Sequence, residues 1–188
     1  MKILPKCVGV LGFLGPFTRH ANILKRLNVI VTYVKNPEDL EAVDALIIPG
    51  TEITSLKAAL KNLLPFIKAR LEGGMPLLLT GEATLLISRE ERTEISCKQV
   101  FIQTYSEGYQ KRFNEDVILS FSDSRDFPGV FVKPSKIKIV SSPFNVIGVR
   151  KSDGEDPVIL EYKNILACTF YPEFTRDYRI HEYFLTKI

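Results

Sequence analysis

Few residues in this chain could carry covalent or acid–base chemistry, and they follow no single motif. There are three cysteines, Cys7, Cys97 and Cys168, and two histidines, His20 and His181. Cys7 and Cys168 sit inside apolar runs, where a free cysteine behaves as a small hydrophobe. Cys97, between Ser96 and Lys98, is the thiol expected to be exposed. An odd count without CxxC spacing argues against a disulfide framework and against a zinc site, so no metal is expected. His20 and His181 read as surface or packing residues rather than bases. Thr80 and Thr84 have no evident base to activate them. Glu82 reads as a solvated or helix-starting carboxylate.

Three of these residues belong to the stretch Met75-Pro-Leu-Leu-Leu-Thr-Gly-Glu-Ala-Thr-Leu-Leu-Ile87. Leu77 to Leu79 is too short an apolar run for a helix and is framed by Gly73-Gly74 and Thr80-Gly81, so it reads as a buried parallel strand. The apolar-rich segment Ala83 to Ile87 can start a helix at once. Strand, sharp turn and helix together give a nucleophile elbow, in which one side chain stands exposed on a strained turn above the sheet. The residue at that turn is Gly81, which takes a left-handed conformation without a Cβ clash and brings no nucleophile.

The elements needed to hold such a turn run in order along the chain. Cys7 to Leu11 is a strand, Phe17 to Leu27 carries a helical stripe, and Val29 to Val34 is β-branched. Pro37 to Leu40 is a short helix or turn, and Ala45 to Ile48 is a third buried strand ending at Pro49-Gly50. Helical sequence then runs from Thr54 to Leu71, kinked or split at Pro65 and stopped by Gly73-Gly74. From Val100 to Phe170 come short strand-like runs at Val100 to Tyr105, Val117 to Phe121, Val130 to Val132, Ile137 to Val140, Val146 to Val149, Val158 to Tyr162 and Ile165 to Phe170. Turn residues at Asp126-Phe-Pro-Gly129, Ser142-Pro143 and Ser152-Asp-Gly154 separate them. Thr175 to Phe184 reads as a C-terminal helix capped by Thr175, with Ile180, Tyr183 and Phe184 on one face. The β-α-β-α order predicts an α/β fold, with a parallel sheet between helix layers, an antiparallel or mixed extension, and the site at the carboxyl ends of the strands.

Bulk properties fit one domain spanning residues 1–188. At 45% hydrophobic and 25% charged content the chain can bury a core and is not disordered. No apolar run approaches the roughly 20 residues a membrane helix needs, and Met1 to Cys7 lacks the pattern of a signal peptide. A cytoplasmic, reducing location follows as the expectation. The net charge of +3, without a lysine or arginine cluster, does not imply nucleic acid.

Val8-Gly-Val-Leu-Gly12, Leu46-Ile-Ile-Pro-Gly-Thr-Glu52, Phe127-Pro-Gly-Val-Phe-Val132 and Thr169-Phe-Tyr-Pro-Glu-Phe-Thr175, followed by Asp177, Arg179 and His181-Glu-Tyr-Phe184, carry a resemblance over nearly the full length. The chain resembles the glutaminase subunits of pyridoxal 5'-phosphate synthase, which are class I (triad-type) glutamine amidotransferases. The resemblance implies a three-layer, flavodoxin-like mixed sheet with helices on both faces, no cofactor, and a synthase subunit of the lyase type as partner. It also implies a site. The family's Gly-Thr-Cys-Ala-Gly elbow aligns with Leu79-Thr-Gly-Glu-Ala83, so Gly81 stands at the nucleophile position. The family's Phe-His-Pro-Glu aligns with Phe170-Tyr-Pro-Glu173, so Tyr171 stands at the position of the base and Glu173 at that of the triad acid. A tyrosine with a pKa of about 10 is a poor base at neutral pH.

Supporting positions differ too. Pro49-Gly-Thr-Glu-Ile53 stands for the family's Pro-Gly-Gly-Glu-Ser oxyanion and substrate loop, making Gly50, Thr51 and Glu52 the substrate-binding positions. Leu14 replaces a glutamine beside the oxyanion hole, and Gln103-Thr-Tyr-Ser-Glu-Gly108 aligns loosely with a segment that brings an arginine. The resemblance places His20 and His181 at structural or interfacial positions. Three functional readings follow: a non-catalytic homologue that partners a synthase subunit in vitamin B6 biosynthesis, an enzyme of altered chemistry in the old pocket, and a working glutaminase. The preferred one is the first, with glutamine or a related small molecule as the pocket's candidate ligand.

Overall fold

The computed structural model describes residues 6–98, 100–104, 112–122, 125–133, 135–139, 144–152, 154 and 156–188. Five parallel strands form the heart of a nine-stranded sheet: β1 (Cys7–Leu11), β2 (Ile30–Val34), β3 (Ala45–Ile48), β4 (Leu77–Thr80) and β11 (Ile165–Cys168). Their spatial order, β2-β1-β3-β4-β11, is that of flavodoxin-like sheets. Strands β10 (Pro157–Tyr162), β9 (Asn145–Arg150), β6 (Phe113–Leu119) and β7 (Phe127–Phe131) continue it antiparallel. β5 (Val100–Thr104) and β8 (Ser135–Ile139) pair separately.

The period-2 rule divides the core. Leu77 and Leu79 face one apolar cluster with Leu40 of α2 (Pro37–Glu41), Leu56 and Leu60 of α3 (Ile53–Leu60) and Ile67 of α4 (Leu64–Glu72). Leu78 faces the other, with Leu24 of α1 (Phe17–Arg26) and Ile180 and Phe184 of α5 (Arg179–Leu185). All four residues of β4 are buried, because helices cover both faces. The helical stretch that Pro65 interrupts is split into α3 and α4, with the proline in the first turn of α4, where its missing N–H costs no helical bond.

Two expectations fail, and the helix after the elbow takes another form, for local reasons. The segment after the elbow is a 3-10 helix over Gly81–Ile87 rather than an α-helix. The Thr84 hydroxyl donates to the Gly81 carbonyl at 2.7 Å, while Thr93, Ser96 and the Cys97 N–H take the carbonyls of Leu86 and Ile87 and close the helix early. Asp126-Phe-Pro-Gly129 is not a turn, since Phe127 onward forms β7. That strand lies at the sheet's edge, which tolerates a proline. Thr175 does not cap the last helix. Its hydroxyl donates to the carbonyls of Pro172 and Asp177, and the helix begins at Arg179, whose N–H donates to Asp177. Ser142-Pro143, Asp153 and Tyr105 to Gly108 lie outside the described residues.

Candidate functional site

The carboxyl ends of β1, β3, β4 and β11 bring four loops together. Thr80 leaves β4 in an extended conformation (φ −122, ψ 151), and Gly81 turns the chain at φ +52, in the left-handed region. This is the backbone expected at the elbow. β11 runs parallel beside β4, with Cys168 opposite Thr80, so the loop after β11 passes directly over the turn. The Gly81 N–H donates to Phe170 at 3.1 Å, and the Tyr171 N–H donates to Val130 of β7 at 2.8 Å.

That register puts the Tyr171 ring where a side chain at position 81 would stand. A Cβ on Gly81 would lie 2.5 Å from Tyr171 Cε2 and Oη and closer still to Cζ. A Cβ on Gly50 would lie 2.6 Å from the Thr80 carbonyl and 2.8 Å from Tyr171 Cε1. Both glycines are therefore needed for the ring to pack, and Tyr171 is 6% exposed. Burial pushes its hydroxyl pKa well up; the charge of Glu82 adds to the shift, and a hydrogen bond from the Glu82 backbone N–H opposes it. As a base at neutral pH the side chain is even weaker than a free phenol.

Two backbone donors near the turn are occupied. The Gly81 N–H is taken by the Phe170 carbonyl. The Gly50 N–H donates to Thr80 Oγ1 at 3.2 Å. Thr80 and Thr84 are fully buried and hydrogen-bonded internally, so neither hydroxyl is presented to a substrate. In an elbow that stabilises an oxyanion, such donors point at empty space awaiting the substrate.

Glu173 is engaged on the side of α1. Its Oε1 is 3.2 Å from His20 Nε2 and 3.4 Å from Thr80 Oγ1, while Oε2 has no partner among the described residues. His20 Nδ1 shares a 2.9 Å hydrogen bond with His181 Nε2, and both imidazoles are fully buried. A carboxylate oxygen accepts, so His20 Nε2 carries a proton; in that tautomer Nδ1 accepts from His181 Nε2–H. His181 Nδ1 is then a bare lone pair without a partner among the described residues. Burial and the adjacent His20 hold the His181 pKa well below its usual value. This Glu173–His20–His181 chain ties α1, α5 and the loop after β11 together. Of the two expectations for the histidines, surface or packing, packing holds; the links from His20 to Glu173 and from His20 to His181 span 153 and 161 residues, beyond any local pattern.

Other positions resolve individually. Glu52 is exposed and caps α3, accepting from the N–H groups of Thr54 and Ser55 at 3.1 and 2.9 Å and from both hydroxyls, which hold its pKa down at about 2. Thr51 is half-buried beside it. Leu14 packs against the core. Glu82 is not solvated: it is 8% exposed, and burial raises its pKa although Lys133 opposes the shift. Cys97 is half-buried rather than exposed, with its pKa raised by burial; Cys168 is fully buried, with its pKa raised strongly. A cavity of about 300 Å³ opens past the 3-10 helix, lined by Ile53, Leu85, Glu90, Glu91, Phe101 and Gln103 among others. Among the described residues no group of three or more His, Cys, Asp or Glu could hold a metal, and no helix is long and apolar enough to cross a membrane.

Comparison with known proteins places this architecture. Residues 10–188 match the model of the SNO glutamine amidotransferase family. The chain is 36% identical to the pyridoxal 5'-phosphate synthase subunit PdxT of Thermoplasma acidophilum, over 96% of this chain and 92% of that protein. It is 30% identical to the subunit of the same name from Thermosipho africanus, over 96% and 98%. A crystal structure of a glutamine amidotransferase superposes with a TM-score of 0.85 at 28% identity, covering 96% of this chain and 97% of that one. PurLQS from Thermotoga maritima shares the fold, with a TM-score of 0.75 at 15% identity over 98% and 99% of the two chains. The chain with a glycine at its elbow and a tyrosine packed over it belongs to the SNO glutamine amidotransferase family.

Proposed function

We propose that this protein is a non-catalytic member of its family that acts as a binding or regulatory partner of a pyridoxal 5'-phosphate synthase subunit, in vitamin B6 biosynthesis in the cytoplasm. The observation that carries the reading is the Tyr171 ring seated on Gly81. It supports the loss of glutamine hydrolysis on three counts. Gly81, at the nucleophile position, has no thiol to form an acyl intermediate. Tyr171, at the base position, has a hydroxyl whose pKa is shifted away from neutrality. The Gly50 N–H, a backbone donor of the loop that would meet an oxyanion, is bound to Thr80. Glu173, at the triad acid position, is engaged by His20 instead of orienting a base. Gly50, Thr51 and Glu52, at the substrate positions, serve the close packing of the loop and the cap of α3.

Partner binding is supported by the likeness to synthase subunits along nearly the whole chain. The test is an ammonia assay with purified protein and glutamine, alone and with the synthase subunit from the same source, together with sedimentation of the mixture. No ammonia above the protein-free control, and a stable complex, are expected. Ammonia release that saturates with glutamine would refute the non-catalytic half, and separate sedimentation at tens of micromolar would refute the partner half.

A further inference from the structure

Five of the ten arginines have hydrogen-bond or ion-pair partners inside the molecule. Arg150 pairs with Glu115 and Asp156, Arg179 with Asp177 and Arg89 with Glu90; Arg26 donates to Tyr178 and Arg70 to a carbonyl. Two exposed arginines stand apart. Arg19, in the first turn of α1, and Arg112, just before β6, come from distant parts of the chain and converge on one ring. Their guanidinium carbons lie 4.9 and 5.2 Å from the centroid of Phe174, so they are no more than about 10 Å apart. Neither has a carboxylate within ion-pair distance among the described residues, and the first turn of α1 contains no acidic residue. Two like charges are thus gathered at one ring, neither with an ion-pair partner among the described residues.

The platform under them is fixed. Phe174 stacks on Tyr171 at 5.4 Å with an interplanar angle of 25°, and Tyr171 is itself buried over Gly81. A guanidinium resting on an aromatic face keeps its N–H edges free, oriented for bidentate pairing with a carboxylate. Aromatic and arginine side chains in such contact dominate the binding energy of protein interfaces, and their charge sets association rate and salt dependence.

We infer that Arg19, Arg112 and Phe174 form the seat for a carboxylate-bearing segment of the partner protein, at the rim of the plugged elbow. The inference rests on the partner-binding reading above and adds to it a place and a chemistry. Phe174 transmits the contact to Tyr171, so the partner presses the plug into place rather than displacing it.

The test measures binding of the full chain to the synthase subunit by sedimentation between about 0.05 and about 0.5 M salt. Wild type is compared with Arg19→Glu/Arg112→Glu and Arg19→Lys/Arg112→Lys; thermal melts check folding, which two exposed, unpaired side chains should leave intact. The charge reversal is expected to weaken binding by at least about tenfold and to flatten its salt dependence, with the lysine pair in between, because lysine keeps the charge but loses the stacked fork. A complex whose affinity and salt dependence are the same in all three proteins would overturn the seat while leaving the partner reading intact. No complex with wild type would overturn both. Titration with inorganic phosphate and with citrate, followed by amide NMR, covers a small-anion site. Saturable shifts at Arg19 and Arg112, together with unaltered partner affinity in the reversal, would replace the protein segment with a small anion.

Discussion

Placing a single methyl group on Gly81 tests the packing at the elbow. In Gly81→Ala the new Cβ meets the Tyr171 ring at 2.5 Å or less, well inside van der Waals contact. It also forces a non-glycine residue to hold φ +52. The left-handed backbone costs about 1–2 kcal/mol, and overpacking a buried site costs about 1–3 kcal/mol. The substitution should therefore lose about 2–5 kcal/mol of stability. Tyr171→Ala alone should lose about 3–5 kcal/mol by leaving a cavity. The two losses share one cause, because once the ring is gone the Cβ has room and only the backbone term remains. In a double-mutant cycle, Gly81→Ala/Tyr171→Ala should be more stable than the sum of the singles by about 1–3 kcal/mol. Urea unfolding at fixed pH measures each corner. Additivity within about 0.5 kcal/mol would mean that Tyr171 does not occupy the space above Gly81, and the plugged site would fall with it.

Three further outcomes follow from the same geometry. His181 is held neutral in the fold but binds a proton when unfolded, so stability should fall as pH drops below about 6.5, with a slope of up to about 1.4 kcal/mol per pH unit; His181→Gln should flatten thermal melts between about pH 5 and 6.5, and an unchanged slope would contradict the buried relay. Glu52→Gln should lower the melting point at neutral pH. Because the folded pKa is depressed to about 2, the difference from wild type should shrink as pH falls from the ordinary glutamate value of 4.5 toward that value; equal melts at neutral pH would count against the cap. Gly81→Cys should lower stability and give no ammonia, whereas Gly81→Cys/Tyr171→His, which restores a thiol and an imidazole above Glu173, should give at most a trace; an active single mutant would show the base to be elsewhere.

What could be read from the sequence was what depends on neighbours in the chain. Leu77 to Leu79 between glycine pairs sufficed to place β4, and the glycine after Thr80 sufficed to anticipate a left-handed turn. The parallel sheet between helix layers followed from the alternation of strand and helix, and its flavodoxin-like order from the resemblance. The helix after the elbow is legible but its 3-10 form is not, because its carbonyls are taken by Thr93, Ser96 and Cys97, beyond the reach of a periodicity argument. Pro128 was read as a turn because edge and interior strands look alike until the sheet is assembled. The seat of the Tyr171 ring depends on the pairing of β4 with β11, whose register sets Thr80 opposite Cys168. His20 and His181 lie beside Ala21, Leu24, Ile180 and Phe184 on the buried faces of α1 and α5, and that placement was the one available signal that they are not surface residues.

Positions 81 and 171 behave as one choice. The tyrosine ring fits only where neither position 81 nor position 50 carries a Cβ, and a thiol at 81 needs a smaller or differently placed side chain at 171. Restoring one catalytic group alone therefore creates a clash before it creates chemistry. The same reasoning explains how Glu173 can be present without a base to orient. Its Oε1 holds His20 and Thr80, His20 holds His181, and Thr80 Oγ1 holds the Gly50 N–H. Removing that carboxylate would strip a fully buried network of its acceptor, which costs more than the gain from any one of its bonds. The presence of Glu173 is thus accounted for by the packing of α1, α5 and the loop after β11.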